Sequence, residues 1–113
     1  MLEKSERPWG RYEVLQESPS FKVKTIYVNP GKRISYQRHQ KRAEHWYIAE
    51  GSGEVTIDGL ISSVNPGSVV DIKTNQLHRI SNTGSTQLVF IEVQTGTYFG
   101  EDDIERVEDD FGR

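Results

Sequence analysis

The chain has 113 residues, the size of one ordinary domain, with 34% hydrophobic and 27% charged residues. Its formal net charge of −3, from 17 acids and 14 bases, argues against a nucleic acid as the main partner, because a phosphate backbone demands a basic footprint. Cysteine is absent, so disulfides, thiolate ligands and a cysteine nucleophile are excluded, and any metal must be held by histidine, carboxylate, amide or water.

The N-terminus, Met1-Leu2-Glu3-Lys4-Ser5-Glu6, lacks the apolar run of a signal peptide. No segment approaches the roughly 18 apolar residues of a membrane span. A cytoplasmic protein with no membrane partner is expected. Residues 1–20 read as an N-terminal extension in which Trp9 and Tyr12 seal one end of the core or pack on a partner. After it come short segments rich in β-branched and aromatic residues, at 21–28, 34–39, 44–49, 54–57, 68–72, 78–81 and 87–94. Turn signals separate them: Asn29-Pro30-Gly31, Gly51-Ser52-Gly53, Asn65-Pro66-Gly67 and Asn82-Thr83-Gly84. Asp58-Gly59, between Val55-Thr56-Ile57 and Leu60-Ile61-Ser62, predicts a tight hairpin. The tail, residues 100–113, is acidic and predicts a helical turn around Ile104 to Val107 over a solvated surface. Many short strands at regular spacing indicate an all-β sandwich or barrel in one domain, residues 1–113.

Several polar residues fall where a cavity would lie. Gln37 and His39 alternate by two, so both project from one face of a strand. Glu44 opens the next strand and shares a face with Trp46 and Ile48, and His78 opens a later strand after the loop 73–77. Imidazole, carboxylate and amide oxygen suit zinc, manganese, iron, cobalt or nickel. Spacing alone leaves two readings open, a metal site and a set of hydrogen-bonded structural histidines. His45 is adjacent to Glu44 and points the other way by parity. Lys41 and Arg42, between two of the proposed ligands, are the cations best placed to meet a phosphate. Arg79 follows His78 and turns from it by parity, which leaves it free to anchor Glu92 or the acidic tail.

Pro30-Gly31 through Gly51 resembles the first cupin motif, and Gly67 through Asn82 the second. More narrowly, five blocks resemble the C-terminal domain of type II phosphomannose isomerases: Arg7-Pro8-Trp9-Gly10; Gln37 and His39 followed by Arg42-Ala43-Glu44-His45-Trp46; His78-Arg79-Ile80 with Asn82; Ile91-Glu92-Val93-Gln94 with Gly96 and Tyr98; and Gly100-Glu101-Asp102-Asp103-Ile104. In longer relatives this domain follows a mannose-1-phosphate guanylyltransferase domain, and that domain has no room in this chain. The resemblance implies a jelly-roll cupin barrel and a divalent metal, zinc foremost, on Gln37, His39, Glu44 and His78. It implies interconversion of mannose 6-phosphate and fructose 6-phosphate, with His45, Glu54 or Lys24 as general base and Lys41, Arg42 and Arg79 as phosphate candidates. A homodimer formed through the sheets is expected on the same analogy. The chain departs from the family pattern at Lys41, where a histidine-rich run is usual, at Lys73, where proline is usual, and at Tyr36, where leucine is usual. A non-catalytic sugar or sugar-phosphate binding cupin, and another cupin enzyme such as a sugar epimerase, are the alternatives.

Overall fold

A computed structural model describes residues 1–112. In chain order the strands are β1 (Glu3–Arg7), β2 (Gly10–Glu17), β3 (Phe21–Val28), β4 (Tyr36–His39), β5 (Arg42–Glu50), β6 (Gly53–Ile57), β7 (Leu60–Val64), β8 (Val69–Ile72), β9 (His78–Asn82), β10 (Leu88–Gly96) and β11 (Ile104–Glu108). A single 3-10 turn, Glu101–Asp103, precedes β11. No helix among the described residues is long and apolar enough to cross a membrane.

The strands form two antiparallel sheets. The larger runs β1-β2-β3-β10-β5-β8 and the smaller β11-β4-β9-β6-β7. This is the all-β, jelly-roll cupin barrel that the strand spacing and the two motifs predict. Strand alternation explains how it closes. Along β5, Arg42, Glu44, Trp46 and Ile48 are buried, while His45 and Tyr47 face solvent. Along β10, Phe90, Glu92 and Gln94 are buried. One end of the interior is thus apolar, with Ile48, Phe90, Leu88, Val28 and Ile80 all at 0% exposure. The other end takes the polar residues of the same strands. A period of two therefore delivers charged side chains inward without leaving the sheet.

The Asp58-Gly59 hairpin forms as the sequence predicts. Asp58 (φ 47°) and Gly59 (φ 84°) both take left-handed conformations, the pairing a two-residue hairpin turn requires, and Ile57 pairs with Leu60 across it.

One expectation is corrected and another is sharpened. The N-terminal residues join the barrel: β1 and β2 extend the larger sheet, Tyr12 pairing with Ile26 and Arg11 with Tyr27. Trp9 and Tyr12 are buried members of the hydrophobic core. Arg11 and Glu13 alternate with the inward Gly10, Tyr12 and Val14, and the alternation ends at the exposed Leu15 and Gln16. The helical turn expected around Ile104 to Val107 is absent. The segment pairs as a strand with β4, Ile104 opposite His39 and Arg106 opposite Gln37. Edge pairing overrides local helix preference where an open sheet edge is available. The tail strand is largely exposed, as its acidic composition suggests. Its acids meet cations across the fold, Glu105 with Arg38 at 2.9 Å, Asp110 with Arg33 at 2.7 Å and Glu108 with Arg79 at 3.5 Å.

Asn82 staples the end of β9. Its side-chain amide donates to the carbonyls of Val28 and Thr86, each at 2.8 Å, and its Oδ1 accepts from the Gly84 N–H at 2.9 Å. Substituting Asn82→Ala leaves the buried Val28 carbonyl, the part-buried Thr86 carbonyl and one N–H without that partner. A loss of about 2–4 kcal/mol is expected, read as a fall in the urea midpoint at unchanged slope; a loss below about 0.5 kcal/mol would contradict the staple.

Candidate metal centre and pocket

β4, β5 and β9 bring three buried ligating groups together. The candidate atoms of His39, Glu44 and His78 all lie within 4.8 Å of one another. His39 closes β4, Glu44 stands near the start of β5, and His78 opens β9, where it pairs with Gln37 across the strands. His39 Nε2 is 3.1 Å from Glu44 Oε2, and His78 Nε2 is 3.7 Å from Glu44 Oε1.

A hydrogen bond sets the tautomer of one imidazole. His78 Nδ1 lies 2.9 Å from the Gln76 carbonyl, which can only accept, so Nδ1 carries the proton. In the neutral ring, Nε2 is then a bare lone pair aimed into the site, buried and without a hydrogen-bond partner. A backbone carbonyl fixing the remote nitrogen is the usual support for a metal-binding histidine. His39 Nε2 faces Glu44 on one side and an Arg42 N–H 3.2 Å away on the other. The Arg42 contact asks this nitrogen to accept, whereas the Glu44 contact asks it to donate. The bare His78 nitrogen and the Glu44 carboxylate thus converge on one point, and His39 Nε2 can join them as a third donor in the tautomer that carries its proton on the unpartnered Nδ1. The donor set fits a divalent metal. Gln37 lines the adjoining pocket, and its amide oxygen accepts from the Ser35 hydroxyl at 2.5 Å.

Further groups surround Glu44. Arg42 donates through Nε to Glu44 Oε2 at 3.0 Å. The Trp46 indole N–H is shared between Glu44 Oε1 and Glu92 Oε1, both at 3.1 Å. Gln94 donates to Glu92 Oε2 at 2.8 Å. Burial alone would raise the pKa of Glu44. The hydrogen bond from His39 and the charges of His78 and Arg42 outweigh that and hold it well below the ordinary carboxylate range. Glu92 takes the opposite course. Burial, and next the charge of Glu44, push it up to about 8. Burial also lowers the pKa of His78, and the charge of Glu44 opposes that only in part. Two contacting carboxyls are thereby driven apart, one ionised and one protonated at neutral pH.

Beside the candidate ligands lies a pocket of ≈ 60 Å³ whose lining includes Gln37, Glu44, Trp46 and Glu92 together with Lys24, Arg42 and Glu101. Of the three base candidates only Lys24 lies in it; its ammonium is buried and pairs with Glu101 at 3.4 Å. His45 points outward, as its parity predicts, and contacts Asp71 at 2.5 Å on the outer face of the larger sheet. Glu54 is exposed and faces a separate cleft on the smaller sheet. The three phosphate candidates are dispersed. Arg42 is inside, Lys41 is an exposed cation 5.3 Å from the Tyr98 ring centroid, and Arg79 lines the same outer cleft as Glu54. Arg79 donates to the Ile34 carbonyl at 2.9 Å and meets Glu108, so it anchors the tail and not Glu92.

The sequence reading passed over Glu92 as a site residue, together with Gln94 and Glu101. The signal for the first two was present: Ile91-Glu92-Val93-Gln94 sets an acid and an amide two apart within an apolar strand, on the same face as Phe90. The signal for Glu101 was masked by the acidic run around it.

Residues 1–109 match the family model described as mannose-6-phosphate isomerase C-terminal. The chain belongs to this family. It is 45% identical over 107 residues to the alginate biosynthesis protein AlgA of Pseudomonas aeruginosa, covering 95% of this chain and 22% of that protein. It is 42% identical over 107 residues to a mannose-1-phosphate guanylyltransferase of Klebsiella pneumoniae, covering 95% of this chain and 23% of that one. The chain thus spans about a fifth of the length of the curated relatives it matches. Among solved structures, a double-stranded β-helix protein from Klebsiella pneumoniae superposes with a TM-score of 0.74 at 22% identity, over 84% of this chain and 76% of the other. That likeness is one of fold.

Two outcomes follow from the ligand geometry and the paired carboxyls. Wild-type protein stripped of metal is expected to take up one divalent ion in a calorimetric titration, and His78→Ala to weaken that uptake at least tenfold; full-strength uptake by the variant would remove His78 from the ligand set. The second outcome concerns pH. Glu92 is protonated in the folded chain up to about pH 8 but ionises near the ordinary 4.5 when unfolded. Its contribution to stability is therefore full below pH 4.5 and is lost as pH rises toward 8. Stability of metal-free wild type, measured relative to Glu92→Gln, should fall across that window. Parallel stability curves for the two proteins would show that Glu92 ionises normally.

Proposed function

We propose that the domain is a metal-dependent aldose–ketose isomerase of a phosphorylated hexose, interconverting mannose 6-phosphate and fructose 6-phosphate. One observation carries the reading: a His-Glu-His ligand set with a bare imidazole lone pair stands next to a carboxyl, Glu92, that holds its proton to about pH 8. The description of the matching family supports it. So do the names of the relatives, one of which acts on a mannose phosphate.

His39, Glu44 and His78, with Gln37 adjoining, would hold the metal, zinc foremost. When bound, the metal supplies a positive centre that polarises the sugar oxygens at C1 and C2. The remaining chemistry belongs to the chain. Trp46 and Phe90 wall the pocket and limit water. Gln94 and Trp46 orient the Glu92 carboxyl by hydrogen bonds to its two oxygens. In its ionised form Glu92 would receive the proton that leaves one carbon and return it to the next; a carboxyl whose pKa is raised to about 8 is present in that form in a growing fraction as pH rises toward 8, and is there a stronger base than an ordinary carboxylate. Arg42 holds Glu44 in its ligating orientation.

A second reading, a sugar-phosphate binding module without turnover, is favoured by the Arg42 guanidinium, which is 3.0 Å from Glu44 and 3.2 Å from His39 and so competes with a cation for the ligand set. Proton NMR in deuterated solvent separates the two. With mannose 6-phosphate and metal-replete protein, the C2 proton is expected to exchange, and chelation is expected to stop the exchange. Glu92→Gln should slow it by about 10²–10⁴ while metal uptake is kept. Absence of exchange with metal demonstrably bound favours the binding module.

A further inference from the structure

A half-buried carboxylate from the tail occupies the cationic end of the pocket. Glu101 sits in the three-residue turn before β11, at the pocket mouth. Its Oε1 is 3.4 Å from Lys24 Nζ and its Oε2 3.6 Å from Arg42 Nη1. Both cations are buried, with side chains only 3% exposed. Arg7 and Arg106 line the same pocket, and the charge of Arg7 also acts on Glu101. Lys24 is further held against the Tyr12 ring, 4.2 Å from its centroid. Burying two such cations costs heavily unless an anion meets them, and the carboxylate of Glu101 meets both.

The anion is less firmly built than the cations. Glu101 Oε2 is buried without a hydrogen-bond partner, and both of its ion-pair distances exceed those of a tight charge-assisted bond, about 2.7–2.9 Å. Its turn has no buried residue and no side-chain cap. Such a turn buries little apolar area, and its ties to the body are few and exposed: Asp103 accepts from the Gln40 and Lys41 N–H groups at 3.3 and 2.9 Å, so Glu101 can swing outward about that anchor. Lys24 and Arg42, by contrast, stand on central strands of the larger sheet. The pocket that Glu101 closes holds ≈ 60 Å³, enough for a few waters, against the roughly 300–1,000 Å³ of a ligand site. A sugar phosphate enters only if something at the mouth moves.

We propose that Lys24 and Arg42, backed by Arg7, form a receiving pole for a phosphate, and that Glu101 is a tethered stand-in anion which the ligand's phosphate displaces as the turn swings outward. The inference rests on the sugar-phosphate reading of this pocket and names the residues that select the charged ligand. It predicts that a neutral sugar is a poor ligand, since a neutral group leaves Glu101 in place and the pocket shut. A tetrahedral dianion offers three oxygens to the same cations, so it outbids a monoanionic carboxylate at that position.

The test titrates inorganic phosphate, and separately neutral mannose, into the full metal-loaded chain and again after chelation. Glu101→Gln removes the competing charge and keeps the side chain's shape. It is expected to bind phosphate about three- to tenfold more tightly than wild type, with mannose binding unchanged. Lys24→Gln is expected to bind phosphate at least about threefold more weakly. The gain in Glu101→Gln should shrink as salt is raised. Equal phosphate affinity in Glu101→Gln and wild type overturns the proposal. A parallel gain for phosphate and mannose also overturns it, because mere loosening of the tail admits both. Should Lys24→Gln fail to fold by circular dichroism, the Glu101→Gln and salt arms decide alone. The isomerase reading fails separately: tighter phosphate in Glu101→Gln without C2 exchange keeps the pole and discards the isomerase, whereas C2 exchange with an unmoved phosphate affinity does the reverse.

Discussion

The carboxylate of Glu44 organises the interior. It lies at 4% exposure between two imidazoles, a guanidinium and an indole N–H, and each approaches within 3.7 Å. An ionised carboxylate at that depth is tolerable only because donors and cations surround it. The surrounding groups are in turn tied to it. Arg42 and Trp46 share its strand and face, and His39 and His78 reach it from the smaller sheet. One acid therefore couples the two sheets electrostatically at the end of the barrel where the apolar core stops.

The second consequence is charge separation between neighbours. Glu44 and Glu92 share the Trp46 indole, and two ionised carboxyls in such contact repel strongly. The cations favour Glu44, so the proton collects on Glu92. The same cations that fix the ligand set thereby leave a proton-carrying acid beside it. Structure and candidate chemistry share one cause, a limited number of positive charges divided among the acids of a low-dielectric interior.

The pocket also shows how terminal segments complete a barrel. The head contributes Arg7, Trp9 and Tyr12 to its wall, and the tail contributes Glu101, Ile104 and Arg106. Neither segment is a decoration on the central strands. β2 pairs with β3 through Tyr12 opposite Ile26, and β11 pairs with β4 directly beside His39 and Gln37. Any movement of the tail is therefore transmitted to the strand that carries two of the four expected metal ligands.

Alternation and turn chemistry, both local, determined much of this protein from the sequence alone. The β-branched segments and the Asp58-Gly59 turn prescribed a barrel of short antiparallel strands. The two-residue spacing of Gln37 and His39, with Glu44 and His78 at strand starts, marked a candidate metal site, of which His39, Glu44 and His78 come together, and parity placed His45 outside. Helix preference misled in the tail, because Ile104–Glu108 takes its conformation from the free edge of β4 and not from its own residues. Composition misled for the acids, because a run such as Glu101-Asp102-Asp103 reads as solvated while one member turns inward to Lys24 and Arg42. The distribution of Lys41, Arg42 and Arg79 among three surroundings was likewise decided by the tertiary structure. Periodicity reports which face a side chain takes; which distant strand lies opposite that face, and with what charge, is set only when the sheets close.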